Sequence, residues 1–448
     1  MKKIISFLFS VALFLSASVY ANAGALSDLA AQSGRNLQKN TASAPTVSKA
    51  ESVSSPAEAN AAAIRNAQSQ TAEWLVMVYI AGMNNLGLFG AAKLNVNDME
   101  RGLFQAGEAA SNVRFVVEYG ELSTDGMGNL NIPDAIRTLL VMPDNDANVI
   151  NSKMIGISKG ADTGNVKTLD SFVRRVLPRF PAKKKALIIW NHGGGIGGIA
   201  SDDIHGSMMN LKNLSRTLRG LVSSYGKFDV IATDACLMQM ASIAYEFKDY
   251  ANVVIGSEQP IPGNGYPYFG LSRILAVSGS GMDGRAFGQM LVSGYGQAYS
   301  RSADTSLSAI DTSKFPGFIS RINRWAGLIM SDSKSFGIIS KANVLKEVSR
   351  MSELDCSRDL VHMIGVINSQ AGVSQAIKDA GNDLANYVRG ELLIANYAYD
   401  TNQNFGLAIY LPDLVYEANP YETLKFSADS NWSKLVRKIL QSRLDNGW

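Results

Sequence analysis

The chain predicts an α/β fold, a mainly parallel sheet between two layers of helices, with a helical C-terminal region behind it. Three observations carry this. Apolar, β-prone runs alternate with amphipathic stretches between Trp74 and Ile255, as parallel strands joined by crossover helices do. Two of those runs end in loops bearing reactive side chains, and open α/β sheets hold their ligands at the carboxyl ends of strands. Beyond residue 312 helical periodicity takes over.

The elements follow in order. Leu75 to Ala81 (LVMVYIA) is apolar throughout and reads as a buried strand. Ala91 to Gln105 is amphipathic, and Val113 to Tyr119 (VRFVVEY) is the second strand. Thr168 to Leu177 reads as a helix that stops at Pro178. Ala186 to Asn191 is the third strand. Leu211, Leu214, Leu218 and Leu221 recur at helical spacing behind Asn210, a good N-cap. Phe228 to Thr233 is the fourth strand, Leu237 to Tyr250 a helix, and Val253 to Ile255 the fifth strand. The later chain reads as helices over Ala286 to Tyr299, Phe315 to Met330, Leu345 to Arg350, Arg358 to Ser369 and Val373 to Arg389. Ser306 to Ile310 and Gly406 to Leu411 (GLAIYL) are its only strand-like runs, the second expected to return to an edge of the sheet.

The ends of the chain carry other signals. Lys2-Lys3, the apolar Ile4 to Leu15 and the small-x-small Ala21-Asn22-Ala23 form a secretory signal, so residues 1–23 are expected to be removed. No later run reaches the roughly 20 apolar residues of a membrane span. Residues 24–72 are rich in Ala, Ser, Asn and Gln without an aromatic side chain, which reads as a linker or pro-segment; Pro56 to Gln70 within it could form a fraying helix. Residues 73–312 are expected to form the α/β core and 313–448 the mostly helical region that returns the strand at 406–411. Loss of Lys2 and Lys3 lowers the formal net charge from +3 to +1, too near neutral for a nucleic-acid partner.

The chemistry concentrates in two strand ends. Ala186 to Asn191 stops at His192-Gly193-Gly194-Gly195, and Phe228 to Thr233 stops at Asp234-Ala235-Cys236. The chain holds only three histidines and two cysteines, and parallel strands would bring one of each to the same edge. A thiol beside an imidazole suggests a nucleophile with its base. Cys236 also opens the predicted helix, where the dipole and free N–H groups favour a thiolate. Alone, it reads more readily as a small buried hydrophobe, the commonest role of a free cysteine. His192 alone is more often structural, but the glycines after it let the backbone approach a ligand and offer an N–H, from Gly193 or Gly194, to an oxyanion. Asp234 caps the helix or lies beside the nucleophile to pair with a basic side chain; position does not separate the two. A disulfide between Cys236 and Cys356 would remove the thiol, but a fold of this size needs no staple. An esterase reading of the glycines would need a GxSxG nucleophile elbow, and no GxSxG is expected anywhere in the chain.

The blocks Trp190-Asn191-His192-Gly193-Gly194-Gly195 and Thr233-Asp234-Ala235-Cys236-Leu237-Met238 resemble the two signature blocks of the clostripain family of cysteine peptidases, relatives of caspases, legumains and gingipains. The resemblance runs from Ala72 to Trp448, through Trp74 to Asn85, Gly256-Ser257-Glu258 and Pro262 to Tyr268. It implies a caspase-like α/β/α sandwich and an endopeptidase acting through a thioester. It implies that Cys236 is the nucleophile and His192 its partner in a dyad that demands no third residue. It implies that the N–H groups of Gly193 and Cys236 form the oxyanion hole, and that Asp234 lies at the base of a pocket for Arg or Lys. Ser257 and Asn264 are the further substrate-binding candidates; Asn264 stands where many relatives carry an acid, which would weaken the basic preference. The partners implied are polypeptides with basic residues. No cofactor is required. Calcium dependence occurs in some relatives, and Asp202-Asp203 is a carboxylate pair in the right region, although a calcium site needs 6–8 oxygens. Many relatives cut themselves after a basic residue between the two blocks, yet Gly193 to Leu211 contains no Lys or Arg, and Lys212 and Arg216 read as helical. The competing reading is a caspase-like domain that binds basic peptides without turnover.

Overall fold

The computed structural model describes residues 56–448 except 126, 128, 303, 352–355, 414, 447 and 448, so the signal segment and most of the 24–72 segment lie outside the described residues. A helix at Pro56–Ser69 matches the expectation there. Everything below concerns the compact unit Ala62–Trp448.

A nine-stranded sheet forms its centre. In chain order its strands are β1 (Ala72–Gly82), β2 (Val113–Glu121), β3 (Ala135–Leu140), β4 (Lys153–Lys159), β5 (Ala182–Trp190), β6 (Phe228–Asp234), β7 (Ala251–Gly256), β8 (Ser306–Asp311) and β9 (Leu393–Ala398). The spatial order is β9-β8-β7-β6-β5-β1-β2-β3-β4. The five central strands, β7 to β2 in that order, are parallel. Two antiparallel strands flank them on each side.

The apolar runs explain the layers. Along β1, Trp74, Val76, Val78 and Ile80 enter one core while Leu75, Met77, Tyr79 and Ala81 enter the other. A strand buried on both faces has no polar side to show, which is why the run is continuous rather than alternating. The first face is covered by α1 (Ala91–Ala106), α5 (Tyr268–Ser278) and α6 (Gly284–Ala298). The second is covered by α2 (Val166–Val176), α3 (Leu211–Tyr225), α4 (Ala241–Phe247) and α7 (Phe315–Ser331), and by the C-terminal helices Leu360–Ser369, Gln375–Tyr387 and Trp432–Asp445. This is the expected sandwich. Asn210 caps α3, its side chain accepting from the N–H groups of Lys212 and Asn213. No helix among the described residues is long and apolar enough to cross a membrane.

Three expectations need correction. The run 406–411 does not return to the sheet. Ala408–Tyr410 pairs instead with Ser357–Asp359 in a separate two-stranded sheet, so the residues read as the start of a helix at Arg358 are strand. The edge strand is β9, whose partly exposed side chains give no apolar run to read. The third concerns the stretch after Cys236, which is a turn; α4 begins only at Ala241.

Candidate active site

Register brings the two reactive strand ends together. Trp190, the last residue of β5, pairs with Asp234, the last of β6, and with Ile80 of β1. His192 and Cys236 each follow two residues later, on the carboxyl edge of the parallel sheet. Asn191 fastens this edge. Its N–H donates to Asp234 O at 3.2 Å, its Nδ2 donates to Ala81 O and to Ser201 O, and its Oδ1 accepts from the backbone N–H groups of His192 and Ser201. Three strands and the hairpin at Ile199–Asp202 are thereby tied at one residue.

Gly193 then passes directly over the cysteine. A Cβ there would lie 2.1 Å from Cys236 O, so only glycine fits. Gly193 bridges Ile199, but the bridging hydrogen bonds come from its neighbours: Ala200 N–H to His192 O and Gly194 N–H to Gly198 O. The Gly193 N–H is left out of that ladder. Leu237, immediately after the cysteine, sits at φ +64°, a left-handed backbone that costs a non-glycine residue energy and often marks a functional turn.

Cys236 keeps some solvent exposure. Burial pushes its thiol pKa up, the N–H of Ile261, 3.3 Å from Sγ, works against this, and the Asp234 carboxylate adds to the rise. The cysteine lacks the helix N-terminus expected beneath it, so nothing of that kind draws off its proton. Burial lowers the His192 pKa, which favours neutral imidazole. Nε2 of His192 lies 2.6 Å from Asn85 Oδ1. The resting pair is therefore a thiol and a neutral imidazole. No disulfide joins Cys236 to Cys356.

Asp234 is no helix cap, because α4 starts seven residues on behind Met240 without any side-chain cap. It is 3% exposed, with Oδ2 accepting from Tyr266 N–H and the Tyr268 hydroxyl, each at 2.9 Å. Oδ1 is buried without a partner. Desolvation pushes its pKa up to about 7. Gly265, at φ +68°, lies over the carboxylate, where a Cβ would come within 2.6 Å of Oδ2. The same loop is held by Asn95, which accepts from Trp190 Nε1 at 2.7 Å and donates to Asn264 O at 2.8 Å.

The remaining candidates fall elsewhere. Asn264 is exposed at the tip of this loop. Ser257 is fully buried, its hydroxyl spent on Gln259 O and the Gln259 N–H, so it shapes the loop from inside. Asp202 is buried, and its oxygens accept from the backbone N–H groups of Thr163, Ile204 and His205 and from the Thr163 hydroxyl. Asp203 is exposed. Asp162, Asp202 and His205 lie close enough to share a cation, and Asp162 Oδ1 accepts from Gly164 N–H and the Ser207 hydroxyl. A GxSxG pattern does occur, at Gly156 to Gly160, contrary to expectation. It lies along the antiparallel edge strand β4, not between a parallel strand and a helix, and so forms no nucleophile elbow. Asn85 and Asn191 are the residues that sequence reading passed over; both stand at ends of central parallel strands, the one signal that could have marked them.

The sequence model of the clostripain family matches residues 78–442. The chain belongs to the clostripain family. As a member it is a cysteine peptidase. Its fold is shared by the inactive zymogen of a C11 protease from Parabacteroides distasonis, at 20% identity and TM-score 0.59, covering 82% of this chain and 99% of that one. It is shared by a secreted C11 cysteine protease from Bacteroides thetaiotaomicron bound to an irreversible peptide inhibitor, at 19% identity and TM-score 0.59, covering 81% and 99%. A further structure of a secreted C11 cysteine protease from the same organism, "iotapain", gives 14% identity and TM-score 0.61, covering 81% and 100%. No curated protein is significantly similar to the peptidase in sequence.

Proposed function

We propose that the peptidase is an exported endopeptidase that cleaves after Arg or Lys, with Cys236 as nucleophile and His192 as its proton carrier. The thiol of Cys236 passes its proton to His192 as sulfur attacks the scissile carbonyl carbon. The carbonyl electron pair moves onto oxygen, where the N–H groups of Gly193 and Cys236 hold it. One such donor is typically worth about 10²–10³ in rate. Collapse expels the amine, which takes the proton from His192 and leaves a thioester on Cys236. His192 then accepts a proton from water as that water attacks the thioester. The carboxylic acid departs and the proton returns to sulfur. No cofactor takes part in these steps.

The observation that carries this reading is the contact of Gly193 with the Cys236 carbonyl, which sets the histidine loop against the cysteine turn. The basic preference rests on Asp234, whose buried, unpartnered Oδ1 is an acceptor that a guanidinium or ammonium group would satisfy. Asn264 at the loop tip is neutral and adds no charge to that recognition. Export rests on the signal-like residues 1–23 and agrees with the secreted relatives. Gly193 to Leu211 holds no Lys or Arg, and Lys212 and Arg216 lie within the first two turns of α3, which supports an enzyme that works as one chain. With both reactive side chains on one edge, the peptide-binding domain without turnover is not favoured.

The test is turnover of arginyl, lysyl and alanyl fluorogenic peptides by the mature protein, with and without calcium. Arginyl or lysyl peptides are cleaved and alanyl ones are not, the chain itself stays uncut, and Cys236→Ala abolishes turnover with an unchanged melting temperature. Turnover surviving in Cys236→Ala contradicts the assignment.

A further inference from the structure

The side chain that meets Nε2 of His192 has a built seat. Asn85 begins the short helical turn Asn85–Leu88 that follows β1. Asn84, fully buried, anchors that turn by donating to Ala81 O at 3.1 Å and Ser201 O at 3.0 Å and accepting from the Leu86 N–H. Gly87 closes it so tightly that a Cβ there would lie 2.0 Å from Gly82 O. From the other side, Asp203 donates its N–H to Met83 O at 2.9 Å. The Asn85 side chain thus projects from a backbone pinned at both ends, and its Oδ1 meets Nε2 of His192 at 2.6 Å.

We infer that Asn85 is a positioning residue for His192, fixing the imidazole as the Nε2–H tautomer so that Nδ1 is the nitrogen that exchanges protons with Cys236 and the leaving amine. An amide oxygen can only accept, so the short contact places the proton on Nε2 and leaves the Nδ1 lone pair for catalysis. A neutral acceptor does this while raising the basicity of the ring far less than a carboxylate would. Asp203 takes part through its backbone, whose N–H on Met83 O fixes the turn that carries Asn85.

This inference rests on the proposed roles of His192 and Cys236, and the test separates the two. In Asn85→Ala, kcat on an arginyl peptide, normalised to sites titrated with a thiol reagent, falls by about 10–100-fold while KM stays within about twofold, since a misplaced catalytic group costs up to about 10²-fold. Asn85→Asp keeps an acceptor in the same place. It recovers most of the lost kcat and moves the acid limb of the pH–rate profile upward, because a carboxylate beside the ring stabilises imidazolium. The charged neighbours in that profile, Asp203 and Asp234, are unaltered in both variants. Nitrogen NMR on a chain with only three histidines reads the tautomer directly, without turnover. His192 is protonated on Nε2 in the parent and loses that preference in Asn85→Ala. Unchanged kcat and an unchanged tautomer in Asn85→Ala overturn the inference alone. Turnover retained in Cys236→Ala overturns the catalytic reading and the inference with it.

Discussion

Asp234 shows what a single side chain carries that its position in the sequence does not. Its place two residues before Cys236 left helix cap and substrate carboxylate equally open; the turn after Cys236 removes the cap. Desolvation with only Oδ2 satisfied holds its pKa at about 7. For a carboxyl raised in the folded state, stability is greatest below the unfolded value of 3.8 and is lost as pH climbs through about 7. Asp234→Asn therefore flattens the stability of the free enzyme between about pH 4 and 7. A bound cation favours the ionised form, so KM for arginyl peptides should fall as pH rises through that window. Asp234→Asn should raise KM for arginyl peptides at least about tenfold at pH 8, leave alanyl peptides unaffected and abolish the pH trend. Steady-state kinetics across pH 5 to 9 checks this; an equal loss on neutral peptides would assign Asp234 to the fold alone.

Among the elements, the central parallel strands were legible because burial on both faces leaves unbroken apolar runs, and β1, β5 and β6 appear where those runs lie. Of the antiparallel flanks only β8 was, as the run Ser306 to Ile310. β4 and β9 are edge strands with half-exposed side chains, and Arg358 hides a three-residue strand ahead of its helix. The turn after Cys236 was misread because Leu237 to Tyr250 is apolar enough for a helix, while tertiary contacts decide otherwise: Leu237 N–H and Gln239 N–H bond to Gln259 O and Ser257 O. The glycine loop makes the sharpest element-scale prediction. Gly193→Ala would press a methyl onto Cys236 O, destabilise the fold by about 1–3 kcal/mol as overpacking does, and cost at least about 10²-fold in kcat through the displaced oxyanion donor. Thermal melting and kcat measured together would show it, and a variant with full kcat would remove Gly193 from the oxyanion hole.

Across the whole molecule, the C-terminal region is joined to the site loop by a carboxyl pair that no pattern of residues announces. Glu258 and Asp359 come from distant parts of the sequence and are both buried, Glu258 Oε1 accepting from Gly406 N–H and Asp359 from the N–H groups of His362 and Phe405. Two acceptors can face each other only by sharing a proton. Burial raises both pKa values, that of Asp359 to about 6. By the same sign as Asp234, this pair stabilises the fold at low pH and loses that contribution as pH rises from about 4 through 6 and beyond. Glu258→Gln, which keeps a donor toward Asp359, should make the melting temperature less sensitive to pH over that range, whereas a parallel pH dependence in parent and variant would show that the shared proton does not matter. The family and the sandwich were readable from local blocks, as was the meeting of the His192 and Cys236 strand ends on one edge; this pair and the anchoring of Asn85 depend on contacts that only folding creates.

The most direct test of the central claim is peptide mapping by mass spectrometry after exposure of the mature protein to a peptidyl-arginine chloromethyl ketone. The account predicts one adduct, on Cys236, formed far faster than with an alanyl analogue and strongly slowed in His192→Ala. Labelling of Cys356 instead, or a rate on Cys236 indifferent to His192, would contradict it.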